Sequence, residues 1–229
     1  MLRDRLSYET LSEFLRYLAA HASEQETLPA LTSLSEELGV SVASLREQLE
    51  VARALGLVEV KPRVGIRRLP YAFLPAIRTS LAYAMALDEK NFQLYADLRK
   101  HVEAAYWHEA VRRLTEEDHA KLRALLERAW SKLDGRPIQI PHEEHKQLHL
   151  TIYSRLENPF VTGILEAYWE AYESIGLNFF TGYDYLREVW TYHQKMTDCI
   201  CNGNFDEGYQ ALLEHTDLLS DLLDHRPEK

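Results

Sequence analysis

From residue 74 onward, apolar residues recur every three or four positions in seven successive stretches, and no run alternates polar with apolar. The stretches cover approximately 74–88, 91–113, 116–133, 141–156, 159–178, 184–202 and 205–224. A period of 3.6 marks amphipathic helices, each of which must bury its apolar stripe against another element. The breaks between them are brief: Asp134-Gly135-Arg136-Pro137, Asn158-Pro159, Gly182 and Asn202-Gly203-Asn204. Connections this short make consecutive helices antiparallel, so an all-α antiparallel bundle is expected.

The first 70 residues read differently. A helix is expected over 8–22, with Leu11, Phe14, Leu15 and Leu18 on one face. A second, Leu31 to Leu38, stops at Gly39, the residue that terminates helices most cheaply. Ser41 suits the N-cap of a third helix carrying Leu45, Leu49 and Ala52. Two β-prone runs then flank the turn Pro62-Arg63-Val64-Gly65. Helix, helix, tight turn, helix, hairpin is the order of a winged helix-turn-helix, whose third helix enters a major groove. The expected fold class is therefore mainly α: a winged helix-turn-helix DNA-binding domain over 1–70 and an all-helical domain over 71–229. The linker falls near Leu69–Phe73, flanked by Pro70 and Pro75.

A net charge of −10 argues against nucleic-acid binding by the chain as a whole, but the charge is unevenly placed. Residues 1–70 hold nine Lys/Arg against ten Asp/Glu, and the remainder seventeen against twenty-six. Lys61, Arg63, Arg67 and Arg68 form a basic cluster on the expected hairpin, suited to backbone phosphates. Ser41, Ser44 and Arg46 open the expected recognition helix and complete the candidate DNA-binding set. The start mixes both charge signs with no apolar core, so no secretory signal is read, and no stretch suits a membrane span. Cys199 and Cys201, two residues apart, point to different helix faces and read as small buried hydrophobes. Cytoplasmic localisation is expected.

Four histidines in the second half, His145, His149, His193 and His215, fall on the apolar sides of their helices. His145 and His149 stack one turn apart beside Leu148, Ile152 and Leu156. His193 keeps company with Val189, Trp190, Met196 and Ile200, and His215 with Leu212, Leu218 and Leu219. One such histidine reads as a hydrogen-bonded core residue. Four together suit a borderline divalent transition metal such as zinc or nickel. His142, three residues before His145, is a possible substitute ligand. Glu143 and Glu144 adjoin the site in sequence but are expected to point off its face.

In this order and spacing, several segments resemble GntR-type bacterial transcription regulators of the FadR-like subgroup, whose helical effector domain is called FCD. In the first part the matching residues are Leu28-Pro29, LSEELGVS (34–41), LREQL (45–49), GLVEV (56–60) and Gly65. In the second, residues 98–111 resemble the subgroup's Arg-x-x-x-Glu helix, giving Arg99 and Glu103. HKQLHLTIYSRLENP (145–159) resembles its Asp-x-x-Phe-His stretch, and residues 192–215 its last two histidine-bearing helices. Two positions depart. His145 stands where the family's metal site usually begins with aspartate, which makes the site softer and less anionic. Val42 stands where a groove-facing arginine is common, which puts the operator sequence in question.

The resemblance implies a ligand-responsive transcriptional regulator, not an enzyme. It would bind a double-stranded DNA operator as a homodimer, with a metal and a small carboxylate effector in the bundle. Arg99 is the candidate effector contact, against the plainer reading of a surface ion pair with Glu103. Two other readings stand beside it. One is a metal-dependent hydrolase with a vestigial winged helix, which lacks a clear general base. The other is a regulator whose histidines line a metal-free pocket. Tyr168, Trp169 and Tyr172 read as core or dimer interface.

Overall fold

The computed structural model describes residues 9–22, 27–174 and 182–224, the side chains of 219–224 excepted. Residue 8 and positions 175–178, touched on above, lie outside them, as does the side chain of Leu219. The chain divides into two compact units, Met1–Ala76 and Ile77–Lys229.

The first unit holds helices α1 (Glu13–Ala20), α2 (Leu31–Leu38) and α3 (Val42–Ala54), then strands β1 (Val58–Lys61) and β2 (Gly65–Arg68). Helix α1 starts later than its apolar period suggests, because Ser12 Oγ accepts the amide of Leu15 and fixes the first turn there. Gly39 ends α2 at φ +65°, a conformation that only glycine adopts at no steric cost. Ser41 Oγ accepts the amide of Ser44 at 3.2 Å and opens α3. Strands β1 and β2 pair antiparallel with Val58 opposite Arg68 and Lys61 opposite Gly65. Phe14, Leu34, Leu45, Leu49, Val58 and Ile66 close one small core.

Helix α4 (Leu74–Leu87) leads into the second unit, followed by α5 (Asn91–Arg112), α6 (Glu116–Leu133) and α7 (His142–Ile152). Then come α8 (Pro159–Ser174), α9 (Tyr183–Asn202) and α10 (Phe205–Asp224). No strand occurs in this unit among the described residues. The fold is mainly α, as the periodicity predicts. Helix α7 ends four residues early: the chain turns at Tyr153, yet Tyr153 and Leu156 stay buried, so the apolar period outlasts the helix. Helix α6 begins with a reciprocal cap between Thr115 and Asp118. Asp118 is buried and takes two hydrogen bonds from Arg155, so it does more than complement a helix dipole. Trp107, Leu122, Leu148, Ile152, Trp190 and Met196 form the core. Trp107 Nε1 donates to the Phe205 carbonyl at 2.9 Å. Gly208 lies so near that a Cβ there would meet the Trp107 ring at 2.9 Å.

Candidate metal centre

Helices α7, α9 and α10 each turn histidines into the middle of the second unit. One nitrogen from each of His145, His149, His193 and His215 lies within 4.8 Å of the others. His149 Nε2 is 3.0 Å from His193 Nε2, and the ring centroids of His193 and His215 are 4.4 Å apart. His149, His193 and His215 are buried, and His145 nearly so. The one-turn spacing in α7 supplies two of the four, and the antiparallel pairing of α9 with α10 brings the other two level with them.

Burial pushes all four imidazoles well below their ordinary pKa, and neighbouring imidazoles or Arg99 push the same way. Each is neutral, the form that binds a metal. His145 Nε2, His193 Nδ1 and His215 Nδ1 are buried without a hydrogen-bond partner. Buried nitrogens left without partners are costly unless something engages them. Four nitrogens bound tetrahedrally at about 2.0–2.1 Å sit roughly 3.4 Å apart, so a spread of up to 4.8 Å closes by about 1.5 Å at most, within reach of side-chain rotation. The residues present fit a divalent transition metal.

Arg99 and Glu103, one turn apart on α5, back this cluster. They form an ion pair at 2.9 Å, as the plainer reading expects, but not on the surface: Arg99 is 2% exposed and Glu103 0%. Glu103 Oε1 lies 3.1 Å from His149 Nδ1, and Arg99 Nη2 lies 2.9 Å from the same nitrogen. The guanidinium stacks on Tyr168, its carbon 4.5 Å from the ring centroid. Burial raises the Glu103 carboxyl above its usual range, and Arg99 pulls it back down. A cavity of about 20 Å³ opens beside the cluster, lined among others by Arg99, His142, Tyr168, Tyr172 and Tyr185. Tyr168 and Tyr172 thus face the site as well as the core. His142 borders the cavity but stands outside the four-histidine group. Glu144 is turned away, bound to Lys132 at 2.7 Å.

In the sequence Glu103 stands out only as a partner for Arg99. Its signal was available: Phe92, Arg99, Glu103, Trp107 and Ala110 form one buried stripe of α5, in which two charges interrupt apolar residues.

In the first unit, Arg46 is exposed on α3 and Arg63 on the hairpin turn. Ser41 and Ser44 are engaged within their own helix, since Ser44 Oγ also accepts from Gln48 at 3.3 Å. The basic cluster is less free than the sequence suggests. Arg67 and Lys61 both pair with Glu59, at 3.2 and 3.0 Å. Arg68 donates to the His21 carbonyl, because it shares the inward face of β2 with buried Ile66.

The FCD domain profile matches residues 95–218, a span holding Arg99, Glu103 and all four histidines. The chain belongs to the FCD-domain family. The order of its parts is that of a GntR-type regulator. It is 23% identical over 206 residues to the HTH-type transcriptional regulator LutR of Bacillus subtilis (strain 168), covering 86% of this chain and 91% of LutR. Among solved structures it is similar to Streptococcus agalactiae GntR, with a TM-score of 0.67 and 16% identity over 93% of this chain and 98% of that one. E. coli McbR/YncC aligns with a TM-score of 0.52 and 19% identity over 96% and 97%. These two likenesses concern the fold of this FCD protein. Among its described residues, no helix is long and apolar enough to cross a membrane.

Proposed function

We propose that this chain is a cytoplasmic, ligand-responsive transcriptional regulator whose FCD domain binds one divalent transition metal, zinc or nickel, and a small carboxylate. The observation that carries the reading is the convergence of four neutral imidazoles on one buried point. His145, His149, His193 and His215 would hold the metal. When bound, it would supply a concentrated positive charge with no carboxylate among its four protein ligands to offset it, so an anionic oxygen is the natural further ligand. Arg99 adds a second positive group at the cavity wall, and its fork suits a carboxylate. At about 20 Å³ the cavity has room for roughly one water, so a larger effector must displace a lining side chain such as Tyr185 or His142. That displacement is the candidate trigger.

The first unit, expected over 1–70, would bind operator DNA through α3 and the hairpin. Exposed Arg46 suits base reading, and Arg63 and Arg67 suit phosphate contact. Ser41 and Ser44 would contribute near the helix start, and Arg68 mainly by holding the hairpin. A single winged helix reads a short half-site, which favours a homodimer. Tyr83, Leu87, Leu94 and Leu98, exposed on α4 and α5, offer apolar surface for a second copy. Sedimentation as a monomer at micromolar concentration would remove that part of the reading.

The hydrolase alternative requires a base near the metal. Glu144 is bound to Lys132 and Glu103 faces Arg99 and His149, which favours regulation. Elemental analysis followed by calorimetry of organic acids against loaded and chelated protein tests the proposal. We expect one metal per chain and tighter acid binding by the loaded form, with a change in DNA affinity. Equal affinity in both forms excludes capture by the metal, and unchanged DNA affinity excludes the regulatory role.

A further inference from the structure

We infer that Glu103 is a positioning residue that fixes His149 in one tautomer and so makes it the pre-oriented member of the four-histidine cluster. The inference rests on the metal centre proposed above but concerns a residue outside the ligand set.

The argument begins with what each ring nitrogen meets. His149 Nδ1 is 3.1 Å from Glu103 Oε1, while His149 Nε2 is 3.0 Å from His193 Nε2. A neutral imidazole has one N–H and one lone pair. With the proton on Nε2, a bare Nδ1 lone pair would face a carboxylate oxygen, two electron-rich atoms at hydrogen-bond distance in a buried site. With the proton on Nδ1, that N–H donates to Glu103, and the Nε2 lone pair points into the cluster. Arg99 Nη2 does not reverse this: it lies 2.9 Å from Nδ1 and 3.2 Å from Nε2, and a donor that near to both ring nitrogens is in line with neither in-plane lone pair and so does not choose between them. Glu103 Oε1 then has an N–H partner, Oε2 has the Arg99 charge 2.9 Å away, and the ring presents Nε2 inward.

Glu103 can hold that orientation because it is itself held. It has no exposed surface, and Tyr153 Oη donates to its backbone carbonyl at 2.9 Å, tying α5 to the end of α7. The other three imidazoles lack such a partner: His145 Nε2, His193 Nδ1 and His215 Nδ1 have none among the described residues. With His149 Nε2 bare, the 3.0 Å contact makes His193 Nε2 its donor, and the tautomers of His145 and His215 are left to whatever enters the cluster. His149 is the ring held by a carboxylate outside the cluster, which makes it the first point of attachment. A carboxylate behind a ligating histidine sets its tautomer and raises its basicity, and losing such a group costs about 10- to 100-fold in metal affinity. Among the described residues, Glu103 is the carboxylate within hydrogen-bond distance of a histidine of the cluster.

The test has two arms. In metal-free, full-length protein labelled with ¹⁵N-histidine, long-range ¹H–¹⁵N correlation reads the tautomer directly, His149 being assigned by its loss in His149→Ala. We expect a protonated Nδ1 and a bare Nε2 in the wild type, and the same in Glu103→Gln, whose amide oxygen still accepts. Glu103→Ala should lose that preference. In the second arm, zinc affinity is measured by competition with a chromophoric chelator, and the cobalt(II) ligand-field spectrum is recorded. Glu103→Ala should weaken zinc by about 10- to 100-fold and shift the cobalt bands, and Glu103→Gln should lose less. Each variant is also made on Arg99→Met, so that no lone buried cation compromises folding. A wild-type His149 protonated at Nε2, or Glu103→Ala with wild-type zinc affinity and cobalt spectrum, overturns the inference. Wild-type protein that takes up no zinc overturns the metal centre instead, and leaves the tautomer measurement standing.

Discussion

Among the described residues, the buried side chains of the N-terminal unit are all apolar, whereas the core of the C-terminal unit also contains Arg99, Glu103, His149, His193 and His215. The first unit keeps its polar chemistry outside, on α3 and the hairpin. The second folds its polar chemistry inside. Burying unpaired nitrogens and a charge pair is expensive without compensation, so in the C-terminal unit function and stability are tied to the same atoms. In the N-terminal unit they are separable. The proposed roles make this difference measurable.

The largest effect should come from the interior of the C-terminal unit. His149→Ala combined with His193→Ala should abolish stoichiometric metal and erase the rise in melting temperature that added zinc gives the wild type. That rise corresponds to about 2.7 kcal/mol when free metal is a hundredfold above its dissociation constant. A double variant that still copurifies with one metal would break the comparison at its centre. In the N-terminal core, Leu45→Ala should cost about 2–5 kcal/mol of stability through a cavity while leaving metal content unchanged. Loss of metal in that variant would mean that the two cores are not independent.

Acid should act on the second unit selectively. The four imidazoles have folded pKa values held well below 6.5 by burial. The unfolded chain takes up protons that the folded core refuses. Stability of metal-free protein should therefore be full above about pH 6.5 and fall as pH drops below it, by up to about 1.4 kcal/mol per pH unit for each histidine. Urea midpoints measured between pH 7.5 and 5 check this, and a flat profile would contradict it.

The smallest changes in stability should come from the surface of the first unit. Arg46→Ala should alter folding by less than about 0.5 kcal/mol yet reduce discrimination at one base pair by about 1–3 kcal/mol. Arg63→Ala should weaken all sequences alike and lower the salt slope by about 0.9. Binding titrations across salt concentrations and operator variants separate the two.

How far the sequence disclosed this arrangement depends on the kind of signal. The four histidines were legible because each interrupts an apolar stripe, and helix periodicity alone assigns the face. Arg99 and Glu103 were not recognised as interior, since an i, i+4 ion pair has the same spacing on a surface as in a core. What separates the cases is the helix packed against them, Tyr168 on α8 and His149 on α7, which comes from tertiary structure. On the hairpin the misreading was avoidable. Four cations in eight residues look like one patch, but a strand sends alternate side chains to opposite faces, and Ile66 marks the inward one. Arg68 follows it inward. The early end of α7 was hidden for the opposite reason, since buried Tyr153 and Leu156 continue the apolar period through a turn.

The aromatic packing around the histidines has an optical consequence. Two of the four tryptophans stand against the cluster, with the Trp169 ring 4.6 Å from His145 and the Trp190 ring 4.7 Å from His193. An open-shell ion at that range drains the excited state of an indole, whereas a filled-shell ion such as zinc leaves it emissive. The protein therefore carries its own indicator. Near-ultraviolet emission followed during titration would dim with nickel or cobalt and persist with zinc, reporting occupancy and electronic character without an added dye.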